Sequence, residues 1–213
     1  MFNIFFNENN KKGGNMEFNE SKTKQNIARL FATLCQDSAR YSFIASNAEK
    51  EGFYYLKELL LSLSSQKMAH AKLMYHLMLE NSKKRKDKVN IESGYPFEKQ
   101  LLSSTLADCY QIEEFECENL LPHFQKLAED EGLKEIGSKF EKLAKVGKAN
   151  SNMLKSLSEA FDNHSLYKFN KKMPFVCSNC GYSETLKEGW TNCPLCGYSK
   201  GYIKFNFFEN ANN

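Results

Sequence analysis

A chain of 213 residues has room for a main domain of about 150 residues and one small module. Its formal net charge is only +3 and its acidic and basic residues are interspersed, which argues against a nucleic-acid partner. No apolar run nears the roughly 20 residues needed to span a bilayer, so no membrane partner is expected.

Residues 1–20 are rich in Asn, contain Gly13-Gly14 and show no sustained period, which predicts a flexible or loosely docked leader. They lack the basic start, long apolar core and cleavage site of a signal peptide, and Met16 is an alternative start. From Ser21 to Asp162 apolar residues recur at three- and four-residue intervals, the mark of helices with one buried face. Helix A is predicted over 22–51, with Ile27, Leu30, Phe31, Leu34, Tyr41, Ala45 and Ala48 on its apolar side. Helix B, over 53–81, presents Leu56, Leu59, Leu60, Leu63, His70, Met74 and Leu77. The basic run Ser82–Lys88 has no apolar face and reads as a solvated connection. Helix C, over 97–131, presents Leu102, Leu106, Cys109, Leu120, Phe124 and Leu127, with a kink expected at Pro122. Helix D, over 133–161, presents Leu133, Ile136, Phe140, Leu143 and Leu154.

Ala48-Glu-Lys-Glu-Gly52 recurs as Ala128-Glu-Asp-Glu-Gly132, eighty residues later, each time where a helix ends. Two antiparallel hairpins joined by one crossover make a four-helix bundle over 21–162, with a linker over 163–173. The fold expected is mainly α: this four-helix bundle, then a small β module over 174–206 and a tail over 207–213.

In that module Cys177, Cys180, Cys193 and Cys196 form two Cys-x-x-Cys knuckles, each followed by glycine, Gly181 or Gly197. Two tight turns delivering four thiolates suit one tetrahedral metal ion, and a glycine with positive φ can aim backbone N–H groups at the sulfurs. Phe175, Tyr182, Trp190, Tyr198, Tyr202 and Phe205 interleave with the ligands but are too few for a free-standing core, so bound metal must supply folding energy. Zinc in a structural ribbon and iron in a rubredoxin-like centre both satisfy the spacing. Cys35, Cys109 and Cys117 are scattered in helical sequence, a usage that fits a reducing cytoplasm; Cys35 and Cys117 read as apolar core fillers, with a redox-active thiol as the alternative.

The chain resembles the rubrerythrins, ferritin-like diiron bundles with a C-terminal rubredoxin-like module. Phe31-Ala32, Ala39-Arg-Tyr-Ser-Phe43, Lys50-Glu-Gly52, His70-Ala-Lys72, the stretch from Pro122 to Lys134 and that from Phe175 to Tyr182 carry the resemblance. It implies a cytoplasmic, dimeric oxidoreductase of the NADH-linked peroxidase type, acting in oxidative stress, with a redox donor protein as partner. It also implies one iron in the four-cysteine site that feeds electrons to a diiron pair.

The ligand positions that the resemblance implies depart from that pattern. A diiron bundle needs a glutamate from helix A, Glu-x-x-His from helices B and D, and glutamates from helix C. Here helix A has Leu34, helix B has Lys67 and His70, helix C keeps Glu113 and Glu116, and helix D has Gly147 and Asn150. Three of seven expected ligands survive, too few to hold two irons. The expectation is a metal-free bundle in which Lys67 replaces the metal in a salt-bridge cluster with Glu113 and Glu116, capped by His70, Asn150 and the Tyr41 hydroxyl. A single ion on His70, Glu113 and Glu116 is the competing arrangement. Two functions follow: an iron redox protein that transfers single electrons with its peroxidase site largely lost, or a non-enzymatic scaffold with a structural zinc knuckle.

Overall fold

A computed structural model describes residues 16–92, 94 and 101–204. Helices α1 (Lys22–Lys50) and α2 (Tyr54–Asn81) form the first hairpin. The second pairs α5 (Lys134–Asp162) with a long helix made of α3 (Leu102–Phe115), one π-helical turn (Glu116–Leu120) and α4 (Leu121–Asp130). Both hairpins turn on the repeated glycines, Gly52 at φ 84° and Gly132 at φ 81°, a conformation that disfavours any side chain with a Cβ. The bundle and its C-terminal two-stranded sheet are thus mainly α, with a ferritin-like architecture.

The π turn corrects the predicted register of the third helix. Pro122 has no N–H to donate, and the ladder widens just before it, the Leu121 amide bonding to the Glu116 carbonyl five residues back. That inserts one extra residue on the inner face. The buried series Leu102, Leu106, Cys109, Glu113 and Glu116 therefore restarts from Cys117 as Leu121, Phe124 and Ala128. Leu120 and Leu127, expected inside, sit at the flank. Phe31, also expected inside, is 38% exposed on α1 and lies 6.2 Å from Tyr75 of α2.

The leader's last residues are docked. Phe18 is buried beside the end of the bundle, and the Glu131 carboxylate accepts from the Lys22 and Thr23 amides, satisfying donors that a helix start leaves open. Residues 1–15 and 205–213 lie outside the described residues, and with them most of the predicted leader, Phe205 and the tail. The basic run is exposed except where Asp87 pairs with the buried Lys24.

The apolar core falls into two bodies. One gathers Ile44, Leu56, Leu60, Leu63, Leu106, Leu154 and Leu157; the other gathers Ile27, Leu30, Leu34, Met74, Phe124 and Phe140. Each fully buried side chain of this size contributes roughly 1.5–3 kcal/mol. Between the bodies lies a polar layer.

Strands β1 (Lys168–Val176) and β2 (Ser183–Glu188) pair antiparallel, and the first knuckle is the loop between them. The module rests on the α1–α2 turn. Tyr202 stacks on Tyr54 with ring centres 4.4 Å apart, and a Cβ on Gly201 would run into the Gly52 carbonyl oxygen, so close is the backbone approach.

Candidate metal centre

Both knuckles fold by the same local bonds. In the first, the Cys177 amide donates to the Tyr182 carbonyl and the Gly181 amide to the Cys177 carbonyl; in the second, Cys193 donates to Tyr198 and Gly197 to Cys193. Gly181 and Gly197 share φ 76°, and the turn they permit brings the Tyr182 and Tyr198 amides onto the sulfurs of Cys180 and Cys196. Sequence spacing foresaw this geometry because every ligand pair and its bonds lie within six residues.

The four Sγ atoms lie within 4.8 Å of one another, with Cys177–Cys196 at 3.8 Å and Cys180–Cys193 at 3.6 Å. Four sulfurs placed about 2.3 Å from a central ion stand about 3.8 Å apart at the corners of a tetrahedron. The donor set therefore fits one tetrahedral, thiolate-seeking ion. The amide of Tyr198 pulls the Cys196 thiol down to about 6, while Cys180 is driven up to about 12: the Tyr182 amide favours its thiolate, but burial and proton sharing with the neighbouring cysteines outweigh it. Cys177 and Cys193 are buried, Cys180 and Cys196 half-exposed, and Leu195 between the second pair is 67% exposed. Trp190 packs edge-on against Tyr182 and Phe175, shielding one side.

The bundle's polar layer is built differently. The Lys67 ammonium lies 2.8 Å from Glu113 Oε1, 2.9 Å from Glu116 Oε2 and 3.3 Å from Asp37 Oδ2, all four side chains being less than 10% exposed. Tyr41 donates to Glu113 Oε1 at 2.8 Å. His70 is half-buried and lines the same small cavity as Lys67, Glu113, Glu116, Gly147 and Asn150; Asn150 donates to Gln66 rather than to the cluster. Burial and the Lys67 charge hold His70 below the usual imidazole range. Among the described residues, the four cysteines are the one group of three or more His, Cys, Asp or Glu whose ligand atoms converge this closely; His70, Glu113 and Glu116 form no such group. The cavity measures about 20 Å³, room for about one water. The Lys67 ammonium occupies the centre of this layer, and Leu34, Gly147 and Asn150 offer no charged oxygen or imidazole to it.

Asp37 was missed by sequence reasoning, although a signal existed. It lies on the stripe Leu30, Leu34, Tyr41, and a charge among apolar residues at that spacing announces a buried partner. Cys35 and Cys117 have thiols raised by burial, the opposite of an activated thiolate.

The family model "Rubrerythrin" matches residues 19–158. A rubrerythrin of Clostridium perfringens (strain 13 / Type A) is 28% identical over 187 residues, covering 86% of this chain and 94% of its own. A putative rubrerythrin of Methanocaldococcus jannaschii is 27% identical over 190 residues, covering 87% and 93%. Among solved structures, nigerythrin superposes with a TM-score of 0.56 at 20% identity, covering 88% of this chain and 90% of its own, which bears on the fold alone.

Proposed function

Because the chain belongs to the rubrerythrin family, we propose that it is a non-haem iron redox protein whose four-cysteine centre carries single electrons in peroxide detoxification, without a working diiron peroxidase. The observation that carries this is the tetrahedral spacing of four sulfurs with two of them half-exposed. Bound iron supplies a one-electron couple to such a centre. The chain's own groups do the tuning: the Tyr182 and Tyr198 amides offset negative charge on sulfur, and Trp190 with Phe175 keeps water from one side. Leu195 offers an apolar edge beside the ligands, a place for a donor protein to dock. Tyr54, under the module, is thirteen residues from Lys67, about 20 Å along α2, so the knuckle addresses an outside partner more readily than its own bundle. Iron-loaded protein is expected to be red, to accept one electron per chain on titration, and to be reoxidised by peroxide no faster than a free four-cysteine iron centre. Peroxide turnover at catalytic rates would sink the proposal, and a colourless, zinc-only protein purified from iron-replete cells would favour the structural reading.

We place self-association on the outer face of the first hairpin. Leu61, Met68 and Tyr75 recur every seven residues along α2, followed by Leu79, each 42–52% exposed, and Phe31 joins them from α1. The full chain is expected to sediment as a homodimer, and the double change Met68→Glu with Tyr75→Glu to sediment as a monomer of unchanged helix content. A wild-type monomer at micromolar concentration would count against this surface.

A further inference from the structure

The chain's charge is unevenly shared. Residues 163–204 hold six lysines against Glu184 and Glu188, a formal +4 with the cysteines counted as neutral, while the whole chain carries +3. All six lysines are exposed. Both glutamates are engaged on the sheet: Glu184 accepts from the Tyr182 hydroxyl at 3.0 Å, and Glu188 lies 3.5 Å from Lys168 Nζ. Two of the lysines stand beside the knuckles. The Lys204 amide donates to the Val176 carbonyl, next to Cys177, and the Lys200 amide to the Thr191 carbonyl, two residues before Cys193. Neither ammonium is paired with a carboxylate among the described residues; that of Lys200 lies over the Tyr167 ring, 5.7 Å from its centre. The second knuckle turns Leu195, 67% exposed, and Tyr198, 45% exposed, toward water. An apolar tip with charge beside it has the make-up of a protein-docking surface, and the sign of that charge selects the partner.

We propose that this tip is the docking site of an acidic one-electron donor protein, drawn in by the module's positive charge and seated on Leu195 and Tyr198 with its carboxylates paired to Lys200 and Lys204. This rests on the reading of the four-cysteine centre as an electron carrier, for a donor must bring a redox group of its own, which neither a nucleic acid nor a lipid surface does. One electron passes from the donor's reduced centre to the iron, and no bond or proton changes hands. Four thiolates outweigh a ferric ion by one negative charge and a ferrous ion by two, so the loaded module stays positive in both states but less so once reduced. The donor is therefore held more tightly before it gives up its electron than after, which favours its release.

The test uses the full-length chain and an acidic plant-type two-iron ferredoxin as the probe. With zinc in the knuckle, so that no electron moves, wild type is expected to bind the ferredoxin at low salt and about tenfold more weakly at physiological ionic strength. Lys200→Glu with Lys204→Glu should weaken the low-salt binding about tenfold. Lys84→Glu with Lys86→Glu, beyond the far end of α2, should leave it unchanged. Zinc content and Trp190 emission equal to wild type establish that each module is folded, and the glutamine pair at 200 and 204 replaces the glutamate pair if the latter fails to hold zinc. Absence of binding at low salt, indifference to salt, an equal loss in both variants, or tighter binding of a DNA duplex at physiological ionic strength would overturn the proposal. With iron in the knuckle, reduced ferredoxin should deliver one electron per chain. A zinc-loaded chain that binds together with an iron-loaded chain that takes no electron would defeat the carrier reading and leave the docking surface supported.

Discussion

Replacing Cys180 with serine is expected to unfold the C-terminal module while leaving the bundle intact. The module has one two-stranded sheet and a handful of aromatic contacts, too little buried apolar surface to stand by itself. Four-thiolate metal binding supplies about 10–16 kcal/mol in comparable zinc peptides, so removing one ligand removes most of the module's folding energy. Trp190 is the single tryptophan and lies in the module, so its fluorescence reports on this region alone. Its emission should shift to the red, protease should cut within 168–204, and the helical melting transition should keep its midpoint. An unchanged, blue-shifted Trp190 emission in the serine variant would falsify the metal's structural role.

Replacing Lys67 with methionine should have the largest effect on the bundle, a loss of about 3–5 kcal/mol at pH 7, the usual result of stripping one partner from a buried ion cluster. The size of the loss should depend on pH. Burial pushes Glu116 up to about 8 in the folded chain; the Lys67 charge opposes that rise, and Asp37 and Glu113 add to it. A carboxyl raised above its unfolded value of 4.5 contributes stability that is fully present below pH 4.5 and fades as pH rises through about 8. Wild type should therefore lose stability from pH 5 toward 8. Without Lys67 the decline should steepen, because no cation then compensates the carboxylates as they ionise against burial and one another. Lys67 itself, held well above 10.5 by those carboxylates despite its burial, stabilises wild type until the pH passes 10.5. Urea midpoints for both proteins from pH 5 to 8.5 check this. A methionine variant as stable as wild type across that range would mean that the cluster contributes no net stability.

The helices, their hairpin order and the sulfur site were legible in the residues, and the failures were specific. Helix C was read with one period throughout, which put Leu120 and Leu127 inside; the π turn before Pro122 moved Leu121 and Ala128 there instead. A single inserted residue leaves the apolar spacing before and after it intact, so periodicity cannot locate it. The three- and four-residue spacing admits both Leu30 and Phe31 to the inner side of α1, and only its packing against α2 decides which of the two neighbours faces the core.

Sequence alone determined what short-range bonds can build: two Cys-x-x-Cys-Gly-Tyr turns whose ligands and amides lie within a few residues, and helices whose apolar stripes oblige them to pack. Tertiary structure decided what depends on groups far apart in the chain. Asp37, Lys67, Glu113 and Glu116 are separated by thirty residues or more except for the last pair, and their charges become one cluster only when the two hairpins close on each other and exclude water. Burial, not residue type, turns a lysine and three carboxylates from ordinary surface charges into groups that must neutralise one another.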